Sequence, residues 1–133
     1  MNDATLRILV VDDCADSARM LRMLMKREGY QVSIEFDGPT ALAKALESAP
    51  DVVLLDLSLP VMSGLEVASE MRKRPELAGC TIVAVSGHGE EMLPSPSPFD
   101  RHFQKPLELD ALKVYLEGIR VDRKPPFPTP TVA

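Results

Sequence analysis

The chain has no tryptophan, two tyrosines and four phenylalanines among its 133 residues. Any core must therefore be aliphatic, and 45% hydrophobic residues suffice for one ordinary domain. The two cysteines, Cys14 and Cys80, form no CxxC pair and no metal-ligand spacing. That excludes a disulfide scaffold and a thiolate zinc site, and it fits a reducing, cytoplasmic setting. No apolar run approaches the roughly 20 residues of a membrane span. The opening MNDATLR lacks the apolar core of a secretory leader. Lysine and arginine number 15 against 20 acidic residues, for a net charge of -5, and no basic block stands out. A nucleic-acid-binding surface of its own is not expected. There is no GxxxxGK[ST] loop to cradle nucleotide phosphates, and no internal repeat.

What is present is an alternation of strands and helices. LRILVV (6–11) is a short β-branched run of the kind found in strands buried on both faces. Ala18, Leu21 and Met25 then follow helical spacing, Leu24 widens the stripe, and Gly29 supplies a stop. QVSIEF (31–36) alternates polar and apolar residues, as a half-exposed edge strand would. Asp37-Gly38-Pro39 offers a turn and a helix cap, and Ala41, Leu42, Ala45 and Leu46 line a second helix. VVLLD (52–56) is a third strand. Ser63 and Glu66 read as a capping box opening a third helix that Pro75 ends. TIVAVS (81–86) is a fourth strand and RHFQ (101–104) a weak fifth. A last helix carries Leu109, Leu112, Leu116 and Ile119 on one side. Such alternation predicts a parallel sheet covered by helices on both faces, with its site beyond the carboxyl ends of the strands.

That rule gathers separate polar residues into one group. Strand one ends in Asp12 and Asp13, strand three in Asp56, strand four in Ser86, and strand five in Lys105 with Pro106 after it. Singly, each has a plain reading as a turn residue, a cap or a surface lysine. Together they define a pocket. Carboxylates at about 4 Å repel by roughly 4 kcal/mol per pair at an effective dielectric near 20. Without a cation, one of them should have a raised pKa. A hard divalent cation removes the conflict, and Mg²⁺ with its oxygen preference suits the set, with Mn²⁺ as a substitute. Asp13 and Asp56 are the expected direct ligands, with Asp12 acting through water and the backbone carbonyl of Ser58 filling a further position. Asp56 is also a candidate nucleophile that would take a phosphoryl group as an acyl phosphate. Lys105 would neutralise charge on that group, and the Ser86 hydroxyl would donate to a phosphoryl oxygen.

From residue 6 to about 118 the chain resembles the receiver domain of response regulators. The acidic pair Asp12 and Asp13, Asp56 within LLDLSLPVMSG, Pro60 and Gly64 at the family's offsets, Ser86, and Lys105-Pro106 carry the likeness. The resemblance implies a flavodoxin-like, doubly wound, five-stranded parallel sheet of order 2-1-3-4-5. It also implies a Mg²⁺ requirement, a cis Lys-Pro bond, and phosphotransfer from a phosphohistidine donor. That donor is a sensor histidine kinase or a phosphotransfer protein. The signal passes to a downstream protein, and no separate catalytic domain is implied.

Two departures stand out. Three residues before the lysine the family usually has Tyr or Phe; here it is His102, either a switch or a partly exposed surface histidine. Phe103 should instead point into the core. Between Ser86 and Lys105, Pro94, Pro96 and Pro98 forbid a regular helix. The fourth helix should be shortened or disrupted, a turn or two around 88–93, with the remainder extended or polyproline-like. His88, two residues beyond Ser86, is expected to border the pocket, and no second histidine is positioned to make it a metal ligand. The receiver is expected to span 1–120. Residues 121–133, with four prolines in 125–130, should be a disordered tail or linker too short for an effector domain. Three functions are therefore weighed: an active phosphoacceptor receiver, a degenerate receiver that binds partners without phosphorylation, and a metal-dependent phosphatase or NTPase. The retained Asp13, Asp56 and Lys105 favour the first. The altered fourth-helix region is the support for the second. The missing phosphate loop, and the lack of a second aspartate two residues after Asp56, count against the third.

Overall fold

The computed structural model describes residues 5–87 and 93–123. Their order along the chain is β1 (Arg7–Val11), α1 (Ala15–Arg27), β2 (Gln31–Glu35), α2 (Gly38–Ser48), β3 (Val52–Asp56), α3 (Gly64–Arg72), a 3-10 turn (Pro75–Leu77), β4 (Thr81–Ser86), β5 (Arg101–Gln104) and α4 (Leu109–Arg123). All strand pairs are parallel, and the sheet runs β2-β1-β3-β4-β5. This is the flavodoxin-like order implied by the resemblance.

Strand periodicity divides the core in two. Ile8, Val10, Val52, Leu54, Val83 and Phe103 face one side, where Ala18 and Met25 of α1 and Leu112 and Leu116 of α4 cover them. Leu9, Val11, Val53, Leu55 and Ile82 face the other, under Ala41 and Ala45 of α2 and Val67, Ala68 and Met71 of α3. Because β1 and β3 are buried on both faces, they read as unbroken apolar runs. Aliphatic side chains dominate both layers, with Tyr30 and Phe103 the buried aromatics of the α1/α4 side.

Local signals end the helices where expected. The Asp37 carboxylate accepts from the Thr40 N–H and caps α2, and Pro39 occupies its first turn. Ser63 and Glu66 form a reciprocal capping box at α3. Gly29 follows α1 at φ +96°, a conformation open to glycine. Pro75 stands in the 3-10 turn just beyond α3.

β2 is the half-exposed edge strand expected, although its burial does not alternate along the strand. Val32, Ser33, Ile34 and Glu35 are all partly buried, because α1 and α2 close over either side of the short edge. The proline-rich stretch is not a straight extended run. Its described residues, 93–100, are non-helical and bend repeatedly, and Ser95–Pro96 is cis. Arg72 holds this segment down: its guanidinium donates to the carbonyls of Pro98 and Cys80 and pairs with Asp100 at 2.6 Å. The one or two helical turns expected around 88–93 fall mainly on 88–92, outside the described residues. The last helix continues to Arg123, past the expected boundary at 120. Among the described residues no helix is long and apolar enough to cross a membrane.

Replacing Ser63 by alanine removes one half of the capping box. The expected cost is about 1 kcal/mol, read as a lower urea midpoint at unchanged slope.

Candidate functional site

Parallel strands deliver their C-terminal residues to one edge, and parity aims them. Asp56 follows Val52 and Leu54 on the face shared by α1 and α4, and ends β3 at 4% exposure. Burial of a carboxylate is costly unless both oxygens are satisfied. Here Oδ1 accepts from the Ser58 N–H at 2.9 Å, and Oδ2 accepts from the Lys105 ammonium at 2.9 Å. Lys105 reaches it from the end of β5, whose backbone is locked to β4 by Lys105 N–H donating to the Ser86 carbonyl at 2.7 Å. Lys105–Pro106 is cis.

Asp12 and Asp13 follow β1. The Asp12 N–H donates to the Glu35 carbonyl, and its Oδ1 accepts from the Cys14 N–H in a tight Asx turn. Neither aspartate is the cap of α1, since Cys14 holds that position. Each of Asp12, Asp13 and Asp56 offers an oxygen within 4.8 Å of the others. Burial pushes the Asp12 carboxyl upward, the Cys14 N–H opposes this, and the charge of Asp56 adds to it. Repulsion from the Asp56 charge is thus a contributor to the rise, behind burial. Lys105 is shifted upward, chiefly by its hydrogen bond to Asp56 and against the pull of burial, which holds it charged.

A cavity of about 330 Å³ opens beside Asp12, Asp56 and Lys105, walled by apolar groups such as Leu21, Leu24, Leu54 and Leu107. A donor set made only of carboxylate oxygens matches a hard cation such as Mg²⁺.

The loop after Asp56 is held close. Gly64 N–H donates to the Leu57 carbonyl at 3.1 Å. A side chain at Gly64 would collide with the Asp56 carbonyl oxygen and lie 2.7 Å from Leu57 Cα. Within the loop, Met62 N–H donates to the Pro60 carbonyl around Val61, at φ 69°. Val61 is 90% exposed, so an exposed β-branched residue occupies a strained γ-turn five positions from Asp56.

Ser86 ends β4 at 3% exposure, and its Oγ lies 2.8 Å from His102 Nε2. Sequence reasoning named both residues but did not foresee their contact. The strand periods alone contain the signal: parallel pairing of Ala84 with His102 sets Ser86 and His102 on the same side of the sheet. Phe103 is buried, as expected. The Arg72–Asp100 anchor was missed, because nothing local marks an arginine that reaches across 28 residues.

The profile of the response regulator receiver domain matches residues 8–117. The chain belongs to the response-regulator receiver family. It is 36% identical over 105 residues to the response regulator PleD of Caulobacter vibrioides, covering 77% of this chain and 23% of PleD. With the response regulator ArlR of Staphylococcus saprophyticus it shares 33% over 106 residues, 80% of this chain and 48% of ArlR. It thus spans less than half the length of these relatives. Among solved structures, the response regulator TrrA of Thermotoga maritima, in complex with Mg²⁺–BeF, is 32% identical. It superposes with a TM-score of 0.78 over 86% of this chain and 99% of TrrA.

In this receiver Gly64 is required by close approach. Gly64→Ala should destabilise the fold by about 2 kcal/mol through overpacking, and should shift the backbone amide resonances of Asp56 and Leu57. A denaturation curve and an amide correlation spectrum check both.

Proposed function

We propose that this receiver accepts a phosphoryl group on Asp56 from a phosphohistidine donor and signals through phosphorylation-dependent binding of a partner. The observation that carries the reading is a buried carboxylate held 2.9 Å from the Lys105 ammonium and clustered with Asp12 and Asp13. An Asp56 oxygen attacks phosphorus, the P–O bond forms as the P–N bond to the donor imidazole breaks, and the imidazole leaves with the electron pair and takes up a proton. Lys105 releases Asp56 and pairs with a phosphoryl oxygen, which compensates the added charge. The Ser58 N–H keeps the carboxylate oriented. Ser86 donates its hydroxyl to the same group.

Asp13 and Asp56 would hold Mg²⁺, with Asp12 acting through water and the Ser58 carbonyl completing the protein ligands. The cation, when bound, supplies neutralisation of the negative charge gathered there. The receiver unit runs to the end of α4, and the proline-rich residues beyond it serve as a tail or linker.

Incubation with Mg²⁺ and a small phosphodonor should add one acid-stable, base-labile phosphoryl group. Asp56→Asn should abolish it, and chelation of the metal should stop it. Labelling that persists in Asp56→Asn would overturn the assignment, and none in the native chain would favour the degenerate, binding-only reading.

A second expectation concerns stability. Mg²⁺ at about 100 times its Kd should stabilise the fold by about 2.7 kcal/mol. Asp13→Asn should lose most of that gain, as a thermal melt with and without Mg²⁺ would show.

A further inference from the structure

A second polar cavity lies at the other end of the strands. It measures about 270 Å³ and opens where α2 passes over the first residues of β1 and β2. Register sets Arg7 beside Gln31 and Leu9 beside Ser33, so Arg7, Gln31 and Ser33 share the parity of Leu9, on the α2 side. Lys44 and Ser48, one turn apart on α2, line it from above. No carboxylate lines the cavity. Asp51 stands outside it and accepts from the Arg7 backbone N–H. Most of the donors here are unused. The Arg7 guanidinium gives one N–H to the Ala49 carbonyl at 2.7 Å, out of the five such a group carries. The Lys44 ammonium, the Ser33 hydroxyl and the Gln31 amide have no hydrogen-bond or ion-pair partner among the described residues. Ser48 alone is committed, its hydroxyl donating to the Lys44 carbonyl. Lys44 and Ser33 are partly buried, and an ammonium drawn out of water without a counter-charge is unfavourable.

We infer that this cavity binds a small phosphate dianion, free or carried as a monoester, with Arg7 and Lys44 neutralising it and Ser33 and Gln31 donating to its oxygens. Two cations held on different elements suit a doubly charged tetrahedral group better than a single carboxylate, and the guanidinium fork matches two phosphate oxygens at once. The inference is independent of the Asp56 reading, because β1 begins at Arg7 and ends where Asp12 follows. Arg7 also has a structural task, since it ties down Ala49 just past α2. Lys44 and Ser33 have none through their side-chain donors, so their substitution probes the ligand and not the scaffold.

Amide correlation spectra of the full chain test this, during titration with inorganic phosphate and, separately, with glycerol 3-phosphate. The titrations run at about pH 8, above the second phosphate pKa of about 6. A chelator keeps divalent metal from the acidic cluster, and sodium chloride holds the ionic strength constant. The amides of Arg7, Ser33 and Lys44 should shift and saturate. Lys44→Gln should weaken binding about tenfold, the equivalent of one charge-assisted hydrogen bond. Ser33→Ala should weaken it less. Equal affinity for the two probes means that the phosphate group alone is read, and tighter binding of glycerol 3-phosphate means that the monoester is the ligand. Shifts that do not saturate, that acetate matches at equal concentration, or that centre on Asp56 and Lys105 overturn the proposal. So does unchanged affinity in both Lys44→Gln and Ser33→Ala.

Discussion

A buried carboxylate held by one lysine is the interaction on which the rest depends. Asp56 sits at the end of a strand that is otherwise wholly apolar. It is tolerated because Lys105 and the Ser58 N–H satisfy its two oxygens. Lys105 is itself 43% exposed, so water shares in its solvation and the pair is only partly desolvated. That suits an exchangeable partner better than a permanent one. The surrounding backbone maintains the arrangement: β5 is tied to β4 beside Lys105, and α3 starts on a glycine pressed against the Asp56 carbonyl.

The two sides of the sheet divide the work. Asp56 continues the parity of Val52 and Leu54, under α1 and α4, and there the apolar-walled cavity leads to the acidic cluster. Ser86 and His102 share the opposite parity and lead toward the segment between β4 and β5. Asp56 and the Ser86–His102 pair thus lie at one sheet edge, on neighbouring strands and on opposite faces. Arg72, at the end of α3, links that segment back to the helix whose capping box fixes the loop after Asp56.

Much of this was legible in the chain itself. The strand order required the family likeness, but the strands and helices follow from hydrophobic period, and the acidic and basic residues at strand ends follow from the rule for parallel sheets. The caps at Asp37 and Ser63 are local chemistry, and local chemistry reads well. What escaped was contact set by register or by reach. The Ser86–His102 bond depends on which residue of β5 lies beside which residue of β4. The Arg72–Asp100 pair depends on a tertiary approach that no spacing encodes. The uniform partial burial of β2 depends on how two helices drape over an edge, and the bends at 93–100 depend on the anchor that Arg72 provides.

The most direct measurement is to trap the modified residue. After treatment with Mg²⁺ and a phosphodonor, hydride reduction converts an aspartyl phosphate into homoserine, and peptide mass mapping locates it. The account predicts homoserine at position 56 alone. Homoserine at position 12 or 13, or none in a chain that has demonstrably taken up phosphate, would contradict it.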